Sequence, residues 1–329
     1  MPKKIVIIGA GPAGLIAGMY LLKSGHKVTI FEKNSKIIST PCGEGISHKA
    51  TERIKGDTGF DSEPFFSKKV LGLKNFFPNN KTSYISGPGY VLDRQKWLEG
   101  MQKYFEKHGG QIIFEKYINN LKELAEYDYI IGADGPNSYL RKLINGKVKV
   151  VPASQYKMEL DWENKTWLEF YWDKDVSRFY SWNFPKKDYY NVGVIGTFAD
   201  LEKFKNKYNI KGNILKKEAY SIPFSGVKIQ EKNIALIGDA AGMANPFSKG
   251  GLAVITYASR ILVDCINSDL LNDYERRIKN HVAFSTLYEK VCNTINNISQ
   301  KDLGSIGEIV HEQDMLKMSP FAYLKIIKY

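Results

Sequence analysis

The sequence predicts an α/β fold: a parallel sheet, an antiparallel sheet inserted into it, and a helical C-terminus. Three observations carry this. An apolar run, Lys4 to Ile8, leads directly into Gly9-Ala10-Gly11-Pro12-Ala13-Gly14. Two later apolar strands, at 129–132 and 234–237, each deliver an aspartate into a glycine-bearing turn. In between, from Val150 to Gly196, aromatic and β-branched residues alternate with polar ones, as in an antiparallel sheet.

The first run is short and rich in Ile and Val, which suits a buried strand, and the stretch from Leu15 to Ser24 is helix-like. Gly25 stops that helix, and Lys27 to Phe31 is a second buried strand ending at Glu32. Strand, tight turn, helix, strand makes a parallel βαβ unit of Rossmann type. From Phe65 to Ile85 two β-like runs flank Pro78-Asn79-Asn80, a turn signal that predicts a hairpin. Leu92 to Gly109 has helical periodicity, Tyr129 to Gly132 and Ile234 to Ile237 are short strands, and Gly250 to Ile266 is a long apolar helix. The rest, from Leu270 to Tyr329, is helix-like and charged. The expected division is a discontinuous nucleotide-binding domain (1–60, 91–150 and 231–265), an antiparallel-sheet substrate domain (61–90 and 151–230) and a helical C-terminal segment (266–329).

Composition narrows the classes of function. A hydrophobic share of 43% and a charged share of 25% over 329 residues describe an ordinary globular protein. The net charge of +12 comes from lysines spread along the chain, without finger spacing, an RNA-recognition signature or a basic block. Nucleic acid is therefore not an expected partner; the diffuse charge suits either simple solubility or anionic lipid headgroups and diphosphates. Cys42, Cys265 and Cys292 show no pairing pattern, and the first residues run straight into a strand without a signal-peptide layout. A reducing, cytoplasmic location is expected, with no metal site. No uninterrupted apolar stretch is long enough to span a bilayer, so any membrane contact is peripheral, at the inner face. The segment from Ser319 to Tyr329 mixes Phe321, Tyr323, Leu324, Ile326 and Ile327 with lysines. It suits a membrane surface or a terminal helix packed on the body.

The glycine turn after the first strand lets backbone N–H groups approach a pyrophosphate, and the helix that follows turns its positive end toward it. Glu32 is spaced to accept hydrogen bonds from an adenosine ribose. This element alone does not decide between NAD and FAD. The second is Gly132-Ala133-Asp134-Gly135, with Asn137, Ser138 and Arg141 following. The third is Gly238-Asp239-Ala240-Ala241-Gly242, running through Asn245, Pro246 and Phe247 to Gly250, Gly251 and Leu252. Asp239 is placed to accept from a ribityl hydroxyl, and the next helix to stabilise negative charge on a reduced flavin ring.

Together these elements resemble the flavoprotein superfamily that includes para-hydroxybenzoate hydroxylase, flavin-dependent halogenases and geranylgeranyl reductases. Val91-Leu92-Asp93-Arg94 resembles that superfamily's Asp-Arg segment, whose arginine lies near the flavin. The resemblance implies FAD held by Gly9, Gly11, Ala13, Gly14, Glu32, Lys33, Cys42, Gly43, Arg94, Asp134, Gly135, Gly238, Asp239, Gly250, Gly251 and Leu252. Two more segments narrow the choice. Tyr180-Ser181-Trp182-Asn183-Phe184-Pro185, with Asn191-Val192-Gly193-Val194, resembles the Tyr-x-Trp-x-Phe-Pro signature of geranylgeranyl reductases, and Pro41-Cys42-Gly43-Glu44-Gly45 resembles their cysteine-glycine loop. The resemblance runs over residues 3 to 265; beyond it the chain is shorter than that family leads one to expect.

Alternation puts Tyr180, Trp182 and Phe184 on one strand face. By residue type alone they are either an aromatic core or the lining of a cavity, and Cys42 is either a packing thiol or one held beside a cofactor. The resemblance implies an FAD-dependent reductase saturating C=C bonds of geranylgeranyl or other prenyl chains, in a lipid or a prenyl diphosphate. Tyr180, Trp182, Phe184, Pro246 and Phe247 then bind substrate, and Cys42 is the candidate catalytic residue. The alternatives are a flavin-dependent halogenase or an aromatic monooxygenase. No second nucleotide fingerprint follows the first, so the expected electron donor is external, a ferredoxin or a separate reductase.

Overall fold

The computed structural model describes residues 1–160, 165–281, 284, 286–319 and 325. Its strands, in chain order, are β1 (Lys4–Ile8), β2 (Lys27–Phe31), β3 (Gly45–Ser47), β4 (Phe66–Phe77), β5 (Lys81–Leu92), β6 (Gln111–Ile113) and β7 (Tyr129–Gly132). There follow β8 (Lys147–Glu159), β9 (Leu168–Tyr171), β10 (Ser181–Pro185), β11 (Tyr190–Val194), β12 (Asn213–Val227), β13 (Gln230–Glu231) and β14 (Ile234–Leu236). The helices are α1 (Pro12–Lys23), α2 (His48–Thr58), α3 (Arg94–Lys107), α4 (Tyr139–Leu143), α5 (Phe198–Lys207), α6 (Leu252–Asn267), α7 (Tyr274–Ile278), α8 (Thr286–Asn297) and α9 (Gln300–Val310).

Two sheets organise the chain. The first has the order β13-β14-β7-β1-β2-β6, parallel except for the β13–β14 pair. Its central strands are hydrophobic on both faces, as a sheet covered on both sides requires. Ile5, Ile7, Leu15, Ile16, Ile30, Trp97, Leu98 and Leu262 belong to one continuous core that joins it to α1, α3 and α6. β1 lies between β2 and β7, so the strand order reverses there and opens a crevice at the carboxyl ends of the strands.

The second sheet has the order β12-β8-β11-β10-β9-β4-β5-β3. The hairpin expected around residue 79 is formed by β4 and β5, and Asn79 and Asn80 both take positive φ (61° and 58°). Asn tolerates that region better than most residues, and the primed hairpin turns require it. β3 lies between two segments of the parallel sheet in sequence yet pairs with β5, so the loop containing Cys42 is carried onto the antiparallel sheet. Among the described residues no helix is long and apolar enough to cross a membrane. The amphipathic segment from Ser319 to Tyr329 lies, apart from Ser319 and Lys325, outside the described residues.

Candidate active site

Three turns, following β1, β7 and β14, meet beside the end of β2 at the carboxyl edge of the parallel sheet. The first depends on the absence of side chains. A Cβ on Gly14 would lie 2.0 Å from the Gly9 carbonyl oxygen, and one on Gly9 (φ 106°) would lie 2.5 Å from the Ala133 oxygen. Gly11 faces open space, and α1 begins there with no side-chain cap and with Pro at its start. Its first N–H groups are thus free for an anion. Glu32, buried at the end of β2, accepts from the Ala10 amide (2.9 Å) and the Asn34 amide (2.9 Å) and so fixes the edge of the crevice. Lys33 beside it is exposed.

The second and third turns are tied together by Arg141. Its guanidinium donates to the carbonyls of Asp239 (3.3 Å), Ala240 (3.0 Å) and Pro136. Asp134 caps α4 through the Tyr139 amide (2.7 Å), while its other oxygen is buried without a partner. Gly135 takes φ 79°, which lets the chain turn between them. Gly238 approaches Ala13 of α1 so closely that a Cβ would lie 2.5 Å from the Ala13 Cβ.

Asp239 accepts a hydrogen bond from the Tyr220 hydroxyl at 2.7 Å. Burial pushes the Asp239 carboxyl above its ordinary value, opposed by that hydroxyl and by Arg94 and Arg141. Burial, and then Asp239 itself, pushes the Tyr220 hydroxyl upward. Arg94 is nine-tenths buried and its Nε has no hydrogen-bond partner. A buried guanidinium nitrogen without a partner is costly unless a ligand completes it. The orphaned atoms of Arg94 and Asp134, the open space over Gly11 and the uncapped start of α6 at Gly251 therefore fit a flavin dinucleotide.

The antiparallel sheet presents its aromatic face to the same place. Tyr180, Trp182 and Phe184 are buried in succession, with ring centroids 6.1 Å and 6.4 Å apart. Phe170 packs on Tyr180 (5.2 Å) and Phe184 (5.1 Å), and Trp172 on Tyr180 (5.4 Å). Neither Phe170 nor Trp172 is among the residues expected from the sequence, although their spacing of two repeats the pattern of residues 180, 182 and 184. This wall touches the third turn twice: the Tyr180 hydroxyl donates to the Ser248 carbonyl, and Phe247 stacks on Trp172 at 4.7 Å.

Cys42 is half-buried against the same wall. A Cβ on Gly43 would lie 2.8 Å from the Phe184 ring, so only glycine lets the loop lie this close. The Glu44 amide donates to Cys42 Sγ (3.3 Å), and Asn191 donates to the Gly43 carbonyl (3.2 Å). Beneath the loop Lys186 and Glu44 form a buried ion pair, and Lys186 also donates to the Leu92 carbonyl. Glu44 takes φ 68° there, a conformation that the surrounding bonds hold in place.

Lys249 also belongs to the third turn, and no motif marks it, since a lone lysine carries none. It is buried and donates to the Pro246 carbonyl, with its ammonium over the rings of Phe224 (3.7 Å) and Phe179 (4.6 Å). Burial pushes its pKa down to about 8 from 10.5. The lowered folded-state value means the unfolded chain binds more protons between these two pKa values, so stability rises with pH across that window. Lys249→Met is expected to stabilise the fold more at pH 7 than near pH ~10, because it removes the penalty of burying a charged ammonium, a penalty that fades as pH rises toward the unfolded-state pKa. Thermal unfolding of both proteins across this pH range checks it; an equal gain at both ends would contradict it.

Fold and site together define an FAD-dependent oxidoreductase. The pyridine nucleotide-disulphide oxidoreductase family matches residues 1–162. Homologues over nearly the whole chain are named digeranylgeranylglycerophospholipid reductase; reductase 3 of Methanosphaera stadtmanae is 26% identical, with 98% of this chain and 94% of that protein aligned. A geranylgeranyl bacteriochlorophyll reductase-like protein of Thermoplasma acidophilum superimposes with a TM-score of 0.83 at 22% identity, covering 99% of this chain and 96% of that one. A flavin-dependent halogenase shares the fold more distantly, with a TM-score of 0.72 at 14% identity, covering 100% of this chain and 78% of that one.

Proposed function

We propose that this protein saturates C=C bonds in the prenyl chains of a geranylgeranyl-type membrane lipid or prenyl diphosphate. The observation that supports this most is the meeting of three parts at one place: the aromatic wall, the Cys42 loop packed on Phe184, and the turn after Asp239 bound to Tyr180 and Trp172. The names of the homologues support the same substrate class.

FAD, when bound and reduced, supplies the hydride. An isolated trisubstituted alkene has no carbonyl to draw electrons, so the other carbon must take a proton and the adjoining carbon gains tertiary cationic character. The chain's residues answer that need. Tyr180, Trp182 and Phe184 exclude water and offer ring faces to a developing positive charge. Cys42, the one half-buried thiol beside them, holds the proton in this reading. Gly9, Gly11, Gly14, Glu32, Arg94, Asp239 and the start of α6 hold the cofactor. The electron donor is external, a ferredoxin or a separate reductase, and the net charge of +12 suits both an acidic donor and peripheral contact with an anionic membrane.

The test is mass spectrometry of geranylgeranyl diphosphate, an archaeal diether lipid and a prenylated quinone after incubation with the dithionite-reduced protein. A gain of two hydrogens per bond is expected. Trp182→Ala should cut turnover by roughly tenfold to a hundredfold through lost apolar contact of up to a few kcal/mol, with FAD retained. Cys42→Ser should lower the rate or change how many bonds are reduced. No mass gain with any prenyl lipid, together with chlorination or hydroxylation of an aromatic compound, would favour the halogenase or monooxygenase reading.

A further inference from the structure

The register of the antiparallel sheet places four residues in one row across four strands. Trp182 on β10 pairs with Gly193 on β11, Gly193 pairs with Gln155 on β8, and Gln155 pairs with Glu218 on β12. Directly paired residues share a face, so the side chains of this row stand together. Gly193 leaves a gap in it: a Cβ there would lie 2.1 Å from Trp182 Cζ2. The indole lies across that gap, and its Nε1 donates to Gln155 Oε1 at 3.3 Å.

The amide of Gln155 is fully used in one orientation. Its Nε2 donates to Glu218 Oε2 (2.8 Å) and to the Cys42 carbonyl (3.1 Å), while its oxygen accepts from the indole. Turning the amide over would set its oxygen against the Glu218 carboxylate and its NH2 against the indole N–H, both repulsive. Glu218 is kept ionised: burial pushes it up, but hydrogen bonds from Lys216 and Gln155, with Lys157 near, hold it below its ordinary value. Gln155 is itself buried, at 3% exposure, so each of these bonds is shielded from competing water.

We propose that Gln155 is the positioning residue that sets Cys42 against the Trp182 ring, with Glu218 fixing its orientation. This rests on the prenyl-reductase reading for its consequence, because proton donor and cation-stabilising ring must then hold one spacing from each other. Gln155 touches neither substrate nor cofactor in this role; it acts through the two groups it joins. A side effect follows from the charge at the end of the row. The carboxylate aligns the amide, the amide oxygen draws on the indole N–H, and electron density in the ring that faces the substrate rises.

The experiment uses the FAD-loaded protein and the variants Gln155→Met and Glu218→Gln, with two readouts. Cys265 and Cys292 are buried, so peptide mass spectrometry of iodoacetamide alkylation follows Cys42 by itself. Gln155→Met should speed Cys42 alkylation by about fivefold to tenfold through the freed loop, given the roughly 1 kcal/mol net worth of one buried hydrogen bond. With geranylgeranyl diphosphate its kcat should fall about tenfold while KM stays within about twofold, because the apolar space is unchanged. Glu218→Gln, which keeps the shape and removes only the charge, should show the same changes at smaller size, and it stands in should Gln155→Met fail to fold. Unchanged Cys42 alkylation and unchanged kcat in a folded, FAD-loaded variant would overturn the proposal. If the wild-type protein reduces no prenyl lipid, the functional reading fails, and the alkylation readout still decides whether Gln155 holds the loop.

Discussion

Gly14→Ala should give a folded but colourless protein. The added methyl would sit 2.0 Å from the Gly9 carbonyl oxygen, a backbone atom that cannot swing aside as a side chain can. Either α1 moves off the turn or the turn opens, and both carry the free N–H groups at the start of α1 away from a pyrophosphate. A loss of about 4 kcal/mol in binding, roughly a thousandfold in affinity, is the expected scale for such a displacement. Visible flavin absorbance of the purified protein and titration with FAD measure it, and circular dichroism confirms that the helices remain. Gly56→Ala is the matched control, because Gly56 lies in α2 with nothing within 4 Å of the new methyl. That change should leave the colour intact and stabilise the fold slightly, by about 0.5–1 kcal/mol, since alanine loses less backbone entropy in a helix. Retained colour in Gly14→Ala would contradict the placement of the pyrophosphate at this turn.

Glu44→Ala is expected to cost about 3–5 kcal/mol of stability, because it leaves the Lys186 ammonium buried without a counter-ion, with the Leu92 carbonyl and the Tyr189 ring (5.5 Å) beside it. Thermal unfolding should shift down by roughly 4–7 °C for a chain of this size. The double variant Glu44→Ala with Lys186→Met removes both charges and should recover most of that loss, as the expense lies in the unpaired ion rather than in the missing pair. Recovery of stability without recovery of the normal Cys42 alkylation rate is the expected pattern, since the pair also anchors the loop. A single variant as stable as the parent would show the pair to be solvated.

What the sequence made legible follows from how local each constraint is. The turn at Gly9 to Gly14 demands glycine within six residues, and Asn79-Asn80 announces its own hairpin by the backbone region it prefers. Tyr180, Trp182 and Phe184 are readable as one face because a strand repeats every two residues. Gln155 is not readable. Its partners lie 27, 63 and 113 residues away, and only the pairing register of β8 with β11 and β12 brings them together. Tyr220 and Lys249 escape notice for the same reason: a tyrosine on a long strand and a lysine in a glycine-rich turn have no local mark until tertiary packing buries them. The second turn gives a mixed lesson. Asp134 is expected to face the cofactor, and one of its oxygens is taken up in capping α4 while the other is orphaned, a division no spacing rule shows.

The position of β14 in the first sheet constrains how the protein can be made. β7, which carries the second turn, has β1 on one side and β14 on the other, and β14 comes only after the whole antiparallel sheet in the chain. During synthesis β7 therefore emerges long before its outer neighbour, with one row of backbone N–H and C=O groups unpaired. Until residue 236 has left the ribosome the nascent chain exposes an apolar strand edge, and the cofactor pocket lacks its third wall. Capture of FAD by these turns therefore has to wait until β14 has been made, and until then the open edge of β7 is where the unfinished chain can pair wrongly.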